Sequence, residues 1–356
     1  MTGRGPSFSQ RTGPTLAVLT GRMPHTRRLL VIAGLMAGAG CVAYHPQSTP
    51  RAALPLPAEI SQYYSYQPNG TLPTVRTSEQ QQSYTIKNVT LSNTCSSAPI
   101  KVVWYAPNTR ESCPLILIAP IRGSDTFIVD GLARIFAQRG YHAAIVKRLR
   151  FRYDPAQPIA QVEDTLRTAV IRQRQALDWL LAQPTVDATR VGTLGISYGA
   201  IINAALAAVD PRVRVHVIDL AGGPLAGVMK SSEEHSIRRD WDLGRQSLNL
   251  NDRQFYRALR EAVRTDPVKL APYVAADHVL MLIARFDHSV PTPYQLQLWE
   301  ALGKPRADFV FGGHYTSLLA LPAHRSTVLR FFQQHFQASA PACPPKTSSV
   351  VAVQAN

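Results

Sequence analysis

The chain is poor in several features that common protein classes require. It has only four cysteines, Cys41, Cys95, Cys113 and Cys343, and none stands at metal-ligand spacing. This argues against a Cys-based zinc or iron–sulfur site, and no cofactor or metal is expected. Charged residues make up 17% of the 356 and hydrophobic ones 45%, which argues against a wholly disordered chain. The one apolar run with the look of a membrane signal, Leu29 to Gly40, is too short to span a bilayer stably, so a polytopic membrane protein is not expected. Acidic residues are few, 23 against 38 Lys and Arg, for a formal net charge of +15. No nucleic-acid-binding motif accompanies that charge, so no nucleic-acid partner is expected. The length suits one large domain or two small ones.

The N-terminus reads as an export signal. From Met23, Arg27 and Arg28 form a positive region, Leu29 to Gly40 an apolar one, and small residues lead to Cys41. This resembles a bacterial lipoprotein signal, with Cys41 lipidated and a lipid anchor holding the protein at a membrane of the cell envelope. Gly38 stands where such signals usually carry Leu, and ordinary signal-peptidase cleavage nearby is the alternative. Residues 1–22 have no role in this reading, which favours Met23 as the start over Met1. Thr26-Arg27-Arg28-Leu29-Leu30 faintly resembles a twin-arginine export motif, so the general and the twin-arginine routes both stay open. The first 40 residues hold five Arg and no acid, leaving 33 basic against 23 acidic residues afterwards, a net +10. Export permits disulfides. With Cys41 acylated and Cys343 in a tail, a Cys95–Cys113 bridge is expected, with free thiols as the alternative.

Residues 41–80, rich in Pro, Ser, Gln and Tyr, read as a flexible tether, and residues 338–356 as a loose tail. Between them strand and helix patterns alternate. Ser83–Leu91 and Ile100–Tyr105 suit paired antiparallel strands, and Pro114–Ala119 a buried central strand. Then follow helix Phe127–Arg139, strand Tyr141–Val146, helix Val162–Leu181, strand Val191–Gly195, helix Tyr198–Val209 and strand Val213–Leu220. After a polar stretch come strand Val279–Ala284, helix Pro291–Leu302, strand Ala307–Phe311 and helix Ala323–Phe336. The alternation predicts a mostly parallel sheet covered on both faces, with ligands at the carboxyl ends of its strands.

The chemistry concentrates at Gly195-Ile196-Ser197-Tyr198-Gly199, a G-x-S-x-G at a strand-to-helix junction. Such a turn drives the serine out of the sheet. Gly195 and Gly199 remove the side chains that would collide, and the helix start presents free N–H groups to the site. Ser197 is therefore the candidate nucleophile, and it needs a base and an orienting acid. Asp287 lies just past strand Val279–Ala284. His314 lies just past the next strand, on a Gly312-Gly313 loop. Both then point into the crevice that holds Ser197. Asp219 is a weaker candidate acid, His288 an exposed loop residue, and His335 a surface residue of the last helix. The oxyanion hole is expected to use the Tyr198 N–H and that of Ile121 or Arg122 in the loop after the central strand.

From about residue 97 to 337 the chain resembles the α/β-hydrolase superfamily. The resemblance rests on two leading antiparallel strands, the elbow, Asp-x-x-Val-Pro at 287–291 and Gly-His-Tyr at 313–315. These features are most similar to the dienelactone-hydrolase and acetyl-xylan-esterase-like branches. The resemblance implies an α/β-hydrolase fold over residues 81–337 and hydrolysis through an acyl-enzyme, with a small-molecule carboxylic ester as the expected substrate. A thioesterase or serine peptidase of the same fold, and a non-catalytic envelope binding protein, are the alternatives. The oxyanion loop departs from the family, with Pro120-Ile121-Arg122-Gly123 where many relatives carry His-Gly. The superfamily often inserts a lid where this chain has residues 222–277. A substrate-selecting lid is therefore expected there, with a peripheral helical decoration as the alternative. The basic run Lys147-Arg148-Leu149-Arg150-Phe151-Arg152 lies on the active-site side and reads as a solvated loop. It could also attract anionic substrates or lipid.

Overall fold

A computed structural model of the chain describes residues 42–44, 51–67, 73–92, 98–122, 127–149, 154–317 and 321–337. The leader, Cys41, Cys95, Arg150 to Arg152 and the tail with Cys343 lie outside the described residues.

The described strands form one sheet. They are β1 (Val42–Tyr44), β2 (Thr74–Gln80), β3 (Tyr84–Leu91), β4 (Ile100–Pro107), β5 (Cys113–Ala119), β6 (His142–Val146), β7 (Val186–Ile196), β8 (Val215–Asp219), β9 (Val279–Ala284) and β10 (Arg306–Val310). Their order across the sheet is β1-β10-β9-β8-β7-β5-β6-β4-β3-β2. From β10 to β6 the strands are parallel, while β4, β3 and β2 continue the sheet antiparallel and β1 closes the other edge antiparallel to β10. Strands β5 and β9 are apolar because both faces of the sheet are covered: every residue of each is buried.

Helices α2 (Phe127–Ala137) and α10 (Leu321–Gln337) cover one face, burying Val129, Leu132 and Phe136 with Phe331, Phe332 and Phe336. Helices α3 (Ala160–Leu181), α4 (Tyr198–Val209) and α9 (Thr292–Ala301) cover the other, through Val170, Leu177, Ile202, Leu206 and Leu298. The expected α/β-hydrolase architecture is thus present. No described helix is long and apolar enough to cross a membrane.

The tether expectation for residues 41–80 needs correction over its described part. That part contributes β1, β2 and a short helix, α1 (Ala58–Tyr63), all built into the domain. The tyrosines that looked like linker composition are anchors. Tyr63 Oη donates to Glu163 at 2.8 Å, Tyr64 Oη meets Thr265 Oγ1 at 2.8 Å, and Tyr66 Oη donates to Asp178 at 2.9 Å. Glu163 is itself buried and accepts from the Thr265 N–H and hydroxyl, so one carboxylate ties α1 to α3 and to the chain before β9. Tyrosine buries an apolar ring while its hydroxyl finds a partner, and so it needs no periodic pattern to dock a segment.

Residues 222–277 contain four α-helices, α5 (Leu225–Ser231), α6 (His235–Ser247), α7 (Asp252–Ala262) and α8 (Pro267–Leu270). The amphipathic pattern read at Asn251 to Val263 is α7, which buries Phe255 and Leu259. Asn251 and Gln254 form its capping box, satisfying two N–H groups at the helix start. Phe255 stacks edge-on against Trp241 of α6 at 4.8 Å between ring centres, which fixes the two helices together.

Candidate active site

Strand β7 runs into α4 through Ser197, whose φ of 56° and ψ of −121° place it in the left-handed region. A non-glycine residue there is strained and persists because its surroundings hold it. The Ser197 N–H donates to the Asp219 carbonyl at 2.8 Å, and its own carbonyl accepts from the N–H groups of Ala200 and Ile201. The flanking glycines are required by space. A Cβ on Gly195 would overlap the backbone of Gly199, and one on Gly199 would overlap the backbone of Ala119 and Pro120. Strand, helix and oxyanion loop therefore meet backbone to backbone, as the G-x-S-x-G spacing predicts.

The structure brings Ser197, His314 and Asp287 together in one hydrogen-bonded chain. His314 Nε2 lies 2.9 Å from Ser197 Oγ, and His314 Nδ1 lies 2.7 Å from Asp287 Oδ2. A carboxylate only accepts, so Nδ1 carries the proton in this arrangement and Nε2 is free to accept from the serine hydroxyl. The His314 side chain is 10% exposed and that of Asp287 is fully buried. Asp287 is held from four directions. Its Oδ1 accepts from the N–H groups of Ser289 and Val290, each at 2.8 Å, and its Oδ2 accepts from Gln295 Nε2 at 2.8 Å as well as from His314. This explains the Asp-x-x-Val-Pro motif: the turn folds its own N–H groups back onto the carboxylate before Pro291 starts α9.

Gln295 was not singled out by the sequence. It is fully buried and bridges Asp287, the Val290 carbonyl and the Ala284 N–H, so it fixes the acid relative to β9. The available signal was a glutamine on the buried face of α9.

The competing residues lie elsewhere. His288 is exposed and lies 3.2 Å from Glu233. His335 is bound to the Phe331 and Asp277 carbonyls. Asp219 is engaged below the elbow with His324, whose other ring nitrogen meets Asp308 at 2.9 Å. Burial opposes a charge on His324, but attraction to Asp219, the hydrogen bonds to both carboxylates and attraction to Asp308 outweigh it and push its pKa up to about 9.

Ile121 and Arg122 follow Pro120 directly after β5, in the loop that packs against Gly199. The Arg122 side chain reaches across to the inserted helices, where Nη2 donates to Asp240 Oδ2 at 2.6 Å. Tyr198 occupies the first position of α4, where backbone N–H groups have no partner within the helix. Burial pushes the Tyr198 hydroxyl up to about 12, against the pull of Arg148 and Arg122, so it stays a neutral donor.

Ser197 opens into a cavity of about 150 Å³ whose far wall comes from the insertion, through Leu225, Val228, Met229, Ile237 and Phe255. Glu234 at the start of α6 accepts from Tyr315 Oη at 2.7 Å, and the Glu233 N–H donates to the His288 carbonyl at 2.8 Å. The insertion is thus tied to both loops that carry the acid and the histidine. Among the described residues no group of three or more His, Cys, Asp and Glu could hold a metal ion. Cys113 begins β5 and is buried, while its expected bridge partner Cys95 lies outside the described residues.

Ser197, His314 and Asp287 have the arrangement of an acyl-transfer site: a nucleophile, a base within reach of its proton and an acid that orients the base. Comparisons with known proteins agree at the level of the fold. The chain is similar to an acetyl xylan esterase from Paenibacillus sp. R4 (18% identity, TM-score 0.61, 78% of this chain and 92% of that one). It is also similar to acetyl xylan esterase 1 from Thermoanaerobacterium sp. JW/SL YS485 (15%, 0.58, 87% and 98%). Similarity to the acylaminoacyl peptidase of Pyrococcus horikoshii covers 75% of this chain but 43% of that one, at 15% identity and a TM-score of 0.52. No curated protein matches the chain. A family model, X-Pro dipeptidyl-peptidase (S15 family), matches residues 43–240, a span that includes Ser197 and stops before Asp287 and His314. Because that span exceeds half of the chain, the protein belongs to the S15 family, and through it to the α/β-hydrolase superfamily of hydrolases.

Proposed function

We propose that this protein is an exported serine hydrolase that cleaves a carboxylic ester through an acyl-enzyme. The observation that carries the reading is the unbroken Ser197–His314–Asp287 chain, 2.9 Å and 2.7 Å at its two links. Ser197 Oγ attacks the ester carbonyl while His314 Nε2 takes its proton. The tetrahedral oxyanion is met by the Tyr198 N–H and by that of Ile121 or Arg122. His314 then protonates the departing alcohol, and Asp287 stabilises the imidazolium without itself taking a proton. Water repeats the sequence on the acyl-enzyme. The inserted helices act as a lid, whose apolar wall sets the size of the group accepted beside Ser197.

The family description favours a second reading, release of an X-Pro dipeptide. Such a substrate carries a free ammonium, which needs an anion in the cavity. Asp240 is the carboxylate lining that cavity among the described residues, and Arg122 at 2.6 Å and Arg239 at 3.2 Å already neutralise it. The ester reading is also supported by likeness over nearly the whole length of the two acetyl xylan esterases. Export and lipidation at Cys41 rest on the sequence of residues 23–41. A Cys95–Cys113 bridge belongs to the same proposal; closing a loop of about 18 residues would stabilise the fold by about 3 kcal/mol.

The test is a panel of short-acyl nitrophenyl esters beside an Xaa-Pro nitroanilide, with Ser197→Ala as control. The ester reading expects turnover of the esters with kcat/KM at least a hundredfold above the anilide. Turnover of the anilide at equal or higher efficiency would replace it with the peptidase reading.

A further inference from the structure

A second cavity, of about 320 Å³, adjoins that of the serine. It lies at the carboxyl ends of β5 and β6 against α3, and Tyr198, Arg148 and Thr165 line both. Its cations are Lys147, Arg148 and Arg172, and its carboxylates are Asp154 and Asp164.

Arg172 is the informative residue. It is 4% exposed, yet its guanidinium donates only to the neutral carbonyls of Ala98 and Pro99, at 3.0 and 2.9 Å. Its Nε is buried with no hydrogen-bond partner among the described residues. Arg174, Arg190 and Arg212 are treated differently, each bound to an aspartate. Burial pulls the Arg172 pKa below the ordinary arginine value, as expected of a cation without an anion beside it. The cavity's own acids do not fill that role. Asp154 Oδ1 accepts the Ala156 N–H at 2.9 Å, and among the described residues neither Asp154 nor Asp164 forms an ion pair with Arg172 or Lys147. A buried cation held only by neutral groups leaves its desolvation cost largely uncompensated, and a ligand anion would offset it.

We infer that this second cavity seats a carboxylate carried by the substrate away from the scissile bond, so that the enzyme's preferred substrates are anionic esters such as half-esters of dicarboxylic acids. The inference rests on the reading of Ser197 as the acyl-transfer nucleophile, and its test is therefore binding rather than turnover. The probes are monomethyl succinate, glutarate and adipate against methyl butyrate, valerate and hexanoate. Affinity is measured by calorimetry on the Ser197→Ala protein at low salt. At least one half-ester is expected to bind tenfold or more tightly than its neutral counterpart. That preference is expected to fall below about threefold in Ser197→Ala carrying Lys147→Gln and Arg148→Gln, a pair chosen because Arg172 also braces the backbone. A melting temperature within a few degrees of the parent checks that this variant folds, and a crystal structure of the bound half-ester gives an independent reading should it not. Equal or weaker binding of every half-ester overturns the inference. So does a carboxylate located outside this cavity. Failure of wild-type enzyme to turn over half-esters and neutral esters alike would count against the proposed reaction and leave the binding result standing.

Discussion

His324 offers a prediction in which magnitude and pH window both come from the structure. Its ring is 1% exposed and stands between Asp219 and Asp308, and its pKa is pushed up to about 9 from an ordinary 6.5. Asp308 is held below the usual carboxylate range: burial opposes this, but its bond to the charged His324 and the Arg306 charge prevail. In the unfolded chain His324 titrates near 6.5. Between pH 6.5 and 9 the folded protein therefore binds one proton more than the unfolded one. Stability is at its full value below 6.5 and is lost as pH rises through 9, at about 1.4 kcal/mol per pH unit and about 3 kcal/mol in all. His142 and His216 are kept neutral, mainly by burial, with pKa values lowered to about 4 and about 3, so they cost stability only as pH falls below 6.5. Buried tyrosines enter above 10. His324→Gln leaves two buried carboxylates without their cation and is expected to cost about 3–5 kcal/mol at pH 7. Urea unfolding at half-unit steps from pH 6 to 9.5 checks both effects: wild type should decline across the window and the variant should be flat. A flat wild-type curve, or a variant that keeps the slope, would refute the reasoning. The cluster also bears on the site, because the Asp219 carbonyl holds the Ser197 N–H.

Three further outcomes are expected. Gly199→Ala drives a methyl into the Ala119 and Pro120 backbone, which cannot rotate away; ester turnover should fall about a hundredfold or more from displacement of the elbow, and near-normal kcat would contradict the close approach. Asp287→Asn keeps the shape of the site but offers His314 an amide donor, favouring the wrong tautomer; kcat should fall by about 10⁴, and a mild effect would move the acid's role elsewhere. Expressed in a Gram-negative host, the protein should fractionate with membranes and Cys41→Ser should release it or block its processing; a mature terminus without lipid, read by mass spectrometry, would refute the anchor while leaving the enzyme intact.

What could be read directly from the chain was whatever repeats with a period or sits at a strand end. The apolar run of β5, the helix after Ser197 and the positions of Asp287 and His314 follow from burial on both faces and from the rule that ligands gather at strand carboxyl ends. What escaped depended on single polar contacts across long sequence distances. Tyr63 and Glu163 are 100 residues apart and Arg122 and Asp240 are 118 apart, and no local pattern announces either pair. Gln295 was hidden for a related reason: a glutamine in a helix reads as a surface residue until its buried partner Asp287 is placed beside it. The segment 58–66 looked like tether because it is short and set among Pro, Ser and Gln, although Ile60, Tyr63 and Tyr64 stand at helical spacing and pack on the core.

The central claim is that Ser197 is a nucleophile activated by His314 and Asp287. The most direct measurement is peptide mass mapping after reaction with a fluorophosphonate, which phosphonylates an activated serine with loss of fluoride. The account predicts one adduct, on Ser197, formed in minutes by wild type, strongly slowed in His314→Ala and missing in Ser197→Ala. No adduct on folded wild-type protein, or an adduct on another residue, would contradict it.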